Sequence, residues 1–122
     1  MREKAMKPQK MKVPLFENGS VVFCTSIQEW HELHRGLKVD GGDDLTNGAS
    51  RTLRHKTHGS LYIIGVFNGK HSTVAHECAH VAFDICSDVG VTVQPGCANE
   101  TYCYLLSRLV EFCSKRMEKT DA

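Results

Sequence analysis

A chain of 122 residues has room for one domain and one modest core. Hydrophobic residues at 41% and charged residues at 24% are ordinary for a soluble globular protein, and a formal charge of +1 gives none of the basic field that nucleic-acid binding uses. The longest apolar run, Leu61 to Phe67, is far short of the roughly 20 residues that span a bilayer, so no membrane segment is expected. The basic N-terminus is followed by no apolar stretch of the kind an export signal needs, so a cytoplasmic location is expected.

Residues 1–11 and 117–122 are polar and read as flexible tails around a single folded unit at 12–116. Val21 to Thr25 is a β-branched run suited to a strand, and Ser26 caps an expected helix from Ile27 to Leu37. Residues 38–49, rich in Gly, Asp and Asn, form a loop. A hairpin follows, with an exposed strand from Arg51 to Thr57, a turn at His58-Gly59 and a buried strand from Leu61 to Phe67. From Ser72 to Cys86 apolar residues recur at helical spacing, with Ser72 or Thr73 as the cap, and a further helix runs from Ala98 to Arg116 after Pro95-Gly96. The sum is an α+β domain, a small mainly antiparallel sheet packed on helices.

Six cysteines, Cys24, Cys78, Cys86, Cys97, Cys103 and Cys113, invite a disulfide or zinc-cluster reading. Four fall within helices, as small apolar fillers would, and no close C-x2-C pair is present. Reduced core thiols are the expectation.

The chemistry lies in His76-Glu77-Cys78-Ala79-His80. Two histidines four residues apart on a helix project from one face and can share a metal ion, while Glu77 beside them is placed to act as a general base. A catalytic zinc needs a third protein ligand and an open corner for water. Glu100, in the first turn of the next helix, is the candidate for that ligand. The same residues have plainer readings: a histidine pair on a solvated helix face, and a glutamate that complements the positive end of its helix. His31 and His34 are three apart with no carboxylate to complete a site and read as surface residues. His55 and His58 are either exposed turn residues or groups that approach the cleft.

His76-Glu77-x-x-His80 followed by Asn99-Glu100 at the opening of a helix resembles the signature of the thermolysin-type gluzincin peptidases, and the interval from His80 to Glu100 is the one that family uses. Leu109-Val110-Glu111-Phe112 also resembles that family's second helix. The chain as a whole resembles short proteins encoded by tailed bacteriophages and prophages. These resemblances imply a minimal zincin-like core, Zn2+ as cofactor, hydrolysis of a peptide bond, and a peptide or protein substrate such as a host bacterial protein. They also imply that an extended substrate pairs with Leu61–Phe67 or with its hairpin partner. Two departures stand out. Tyr104 occupies the place where the family has an aspartate that orients a ligand histidine, and the stretch after the second helix has no counterpart of the later domain that supplies a transition-state-stabilising histidine. Tyr102, Tyr104, His58 and Arg54 are the candidates to replace that group. The rival to an enzyme is a zinc-stabilised interaction protein that keeps the ligands and binds a host factor without cutting it. A repressor-cleaving phage-associated peptidase would share the chemistry.

Overall fold

The computed structural model describes the backbone of residues 8–97 and 99–121. Its elements run β1 (Gln9–Lys12), β2 (Gly19–Cys24), α1 (Ile27–Gly36), β3 (Gly48–His55), β4 (Gly59–Val66), α2 (His71–Asp88) and α3 (Glu100–Asp121). The four strands form one sheet in the order β1-β2-β4-β3. β1 pairs antiparallel with β2 and β3 with β4, while β2 and β4 run parallel. The parallel pair requires a crossover, which α1 and β3 supply. The α+β class and the mainly antiparallel sheet are as the sequence indicates.

The two central strands are covered on both faces, which is why they read as unbroken apolar runs. Val21, Phe23, Tyr62, Ile64 and Val66 face α2 and α3, where they meet Val74, Cys78, Val81, Ala82, Ile85, Leu105, Leu109, Cys113 and Met117. Val22, Cys24 and Ile63 face the other way, onto Trp30 of α1. On α3, Leu105, Leu109, Cys113 and Met117 repeat every fourth residue and form one buried stripe.

Ser26 caps α1 by accepting a hydrogen bond from Glu29 N at 3.0 Å, and Glu29 in turn accepts from Thr25 N at 2.9 Å. The first bond satisfies one of the unpaired N–H groups of the helix start, and the second ties down the chain that enters it. α2 begins differently from expectation. Its cap is Lys70, with no side-chain cap bond, instead of Ser72 or Thr73. Asn68 organises the entry, donating to Thr73 Oγ1 at 2.9 Å and accepting from Lys70 N at 3.1 Å.

Two described stretches that the sequence assigned to tails are regular structure. Gln9–Lys12 forms the edge strand β1, because Lys10 and Lys12 alternate outward while Gln9 and Met11 lie half-buried; residues 1–7 lie outside those described. At the other end α3 continues through Asp121, held by Arg116 and Met117, which are 1% and 4% exposed. The expected helix start at Ala98 falls on a residue outside those described. All six cysteines are free; Cys24, Cys78, Cys86 and Cys113 are buried, Cys97 and Cys103 exposed.

Candidate metal centre

α2 presents two different faces. Val74, Cys78, Val81, Ala82 and Ile85 enter the core, and His76 and His80 stand exposed on the opposite side. Their rings approach edge to face with centroids 4.9 Å apart, the consequence of a four-residue step along a helix. Glu77 lies between the two environments and is 8% exposed. One ligand atom from each of His76, Glu77 and His80 falls within 4.8 Å of the other two, so the group could hold a metal ion. Two imidazoles and a carboxylate are the donor types that suit a divalent transition metal.

Glu77 is shaped by the edge strand. The start of β3 runs against the first turns of α2, and a depression of about 430 Å3 opens there, lined by Asn47, Gly48, Ser72, Thr73, His76 and Glu77 among others. Gly48 makes the approach possible, since a Cβ on it would lie 2.6 Å from Thr73 Cγ2 and 3.3 Å from Glu77 Cγ. Farther along the same strand Thr52 donates to Asp84 Oδ2 at 2.9 Å and Arg54 to Asp88 Oδ1 at 2.9 Å. β3 therefore tracks α2 from Glu77 to Asp88, and among the described residues no strand pairs with its outer edge.

Glu100, the expected third ligand, stands apart from this group. It is exposed at the first position of α3 and is not among the atoms clustered with His76 and His80. Asn99 beside it organises the preceding loop, its amide donating to Gln94 O and Cys97 O at 2.8 Å each and accepting from Gln94 N at 3.2 Å. Asn99 holds a left-handed backbone, φ 52°, at this entry, a conformation asparagine tolerates better than most residues.

The other candidates separate cleanly. Arg54 is bound to Asp88, at the far end of α2 from His76, about 18 Å along the helix axis at 1.5 Å per residue. That distance keeps it away from the His76–His80 group. Tyr104 is 42% exposed, with the Arg108 guanidinium 6.0 Å over its ring. Tyr102 stacks on Phe83 with centroids 4.5 Å apart, and burial pushes its phenol up from the ordinary tyrosine value. Phe83 follows His80 by three residues on the exposed side of α2, and nothing in the motif signalled it. His58 sits on the β3–β4 turn, His31 is half-buried, and His34 is buried, contrary to the surface position expected for it. The expected substrate partner Leu61–Phe67 overlaps β4, which is paired on both sides and has no edge to offer.

The fold and this site define a small α+β domain with a histidine–glutamate group on α2 that could hold a metal ion. No family model, no curated protein and no solved structure matches the chain.

Proposed function

We propose that the protein is a zinc-dependent peptidase of the gluzincin kind, encoded by a phage or prophage and acting in a bacterial cytoplasm on a peptide or a host protein. The observation that carries the reading is the clustering of His76, Glu77 and His80 within 4.8 Å beside the free edge of β3. His76 and His80 would hold the ion, and Glu100 is the residue it would draw in as third ligand from the first turn of α3. Zinc bound there would polarise water and the substrate carbonyl. Glu77 accepts the proton of the attacking water on its carboxylate and returns it to the departing amine. An extended peptide adds to the outer edge of β3, whose main-chain groups fix its register.

A second reading has one observation in its favour. Glu100 lies outside the cluster, and two exposed histidines on one helix also suit a zinc-stabilised interaction protein that binds without cutting. Glu77→Gln separates the two. Purified protein with one equivalent of zinc is assayed against a mixed peptide library by mass spectrometry. A peptidase loses cleavage by about 10²-fold or more in the variant and keeps its zinc; wild-type protein that holds zinc and cuts nothing favours the interaction protein.

A further inference from the structure

α1 has only ten residues, so it covers just part of the sheet face on which Trp30 sits. Beyond its end at Gly36 a depression of about 320 Å3 is left on that face by the described residues, apart from α2 and α3. Its floor is Leu53 and Leu61, directly paired across β3 and β4, and Leu37, 40% exposed, forms one wall. Around this apolar floor stand Lys10 of β1 and the turn histidines His55 and His58. Among the described residues no carboxylate lines it. The guanidinium of Arg54, whose residue also borders the cavity, is turned to Asp88 on the opposite face.

The two histidines are built into position. His55 Nδ1 accepts from the backbone N–H of Thr57 and of His58, each at 3.2 Å. These bonds, with Thr57 Oγ1 also 3.2 Å from Nδ1, hold the ring in place and leave Nε2 as its remaining polar atom. His58 stacks against it with centroids 4.4 Å apart. We infer that this cavity binds a small amphiphilic anion, an apolar chain or ring ending in one carboxylate or phosphate, with the leucines taking the apolar body and Lys10, His55 and His58 the head. The volume is that of a compact small-molecule pocket, and a rim of one lysine and two imidazoles with no carboxylate among the described residues favours an anionic head over a cationic one. The site lies on the sheet face opposite the metal group, so its test is independent of any peptidase activity.

The test is an NMR titration of the full chain with octanoate, octyl phosphate and octylammonium, each below its micellar concentration. Octanoate, octyl phosphate or both shift the amides of Leu37, Leu53, His55, His58 and Leu61, and octylammonium leaves them unmoved. Lys10→Glu and His58→Glu, both at exposed positions, each weaken anion binding by about fivefold or more while the far-UV circular dichroism stays that of the wild type. Equal binding of octylammonium, shifts centred elsewhere, no binding of either anion, or affinity unchanged in both variants would overturn the proposal.

Discussion

Gly48 and Glu77 are in such close register that a single methyl group on the strand would meet the helix. A Cβ at Gly48 would lie 3.3 Å from Glu77 Cγ, 2.6 Å from Thr73 Cγ2 and 2.9 Å from Gly65 O. The last of these is backbone and cannot turn aside. Gly48→Ala is therefore expected to cost about 1–3 kcal/mol, the usual range for overpacking, read as a lower midpoint in urea with the slope unchanged. Because the clash also falls on Thr73 and Glu77, the peptide cleavage proposed for this site should fall further than the loss of folded protein explains. An alanine variant as stable and active as the parent would show that β3 and α2 can move apart freely.

Arg116 and Glu29 join the last turns of α3 to the first turn of α1, 3.5 Å apart with side-chain exposures of 1% and 13%. Truncating an arginine so enclosed empties buried volume and takes the cation away from Glu29, which keeps only its bonds from Thr25. Arg116→Ala should destabilise the fold by about 3 kcal/mol, as broken buried pairs do. Arg116→Met, which refills the volume, should recover part of that loss. Guanidinium chloride unfolding of both variants measures the difference, and equal losses would assign the effect to the lost polar contacts of the guanidinium and none of it to packing.

His34 ties stability to pH. It is 1% exposed, Nδ1 bonds Trp30 O at 2.7 Å, and Nε2 has no partner among the described residues. Desolvation first, then the nearby positive charges of Arg51 and His31, push its pKa below the ordinary 6.5, against the raising pull of the Trp30 carbonyl and Asp40. The unfolded chain consequently binds a proton that the folded one refuses. Stability is full above about pH 6.5 and falls as pH drops from there through the folded-state pKa, with a limiting slope of about 1.4 kcal/mol per pH unit. His34→Leu should flatten that portion of the profile in metal-free protein, measured by urea midpoints from pH 7.5 to 5. An unchanged slope would place the proton uptake on another histidine.

What the sequence disclosed and what it hid follow from how each signal arises. The strands β2 and β4 and the helices α1, α2 and α3 are legible because core burial imposes periodicity on Val21 to Cys24, Tyr62 to Val66, Val74 to Ile85 and Leu105 to Cys113. β1 is not, since an edge strand that buries neither Gln9 nor Met11 fully leaves almost no apolar trace. The contact of His34 with Trp30, four residues earlier on α1 and stacked on it at 4.6 Å, follows from helical spacing, but spacing does not show that this face of α1 turns to the core. The His76–His80 pairing could be read from spacing alone, for a helix fixes it. The place of Glu100 could not, because it depends on how two helices pack and on a loop held by Asn99.

The metal itself gives the last expectation. If His76 and His80 hold zinc and the unfolded chain does not, the ion stabilises the fold by about 2.7 kcal/mol at a free concentration 100 times its dissociation constant. Thermal unfolding with and without a chelator reads this directly. His76→Ala and His80→Ala should each abolish the difference, and Glu77→Gln should preserve it, because a base is not needed to hold the ion. Glu100→Ala is the informative variant, since its carboxylate starts outside the 4.8 Å group. A third ligand drawn in on binding requires zinc affinity to fall by at least the ~10-fold that an outer-sphere partner commands, and affinity that survives the substitution leaves the ion on α2 alone.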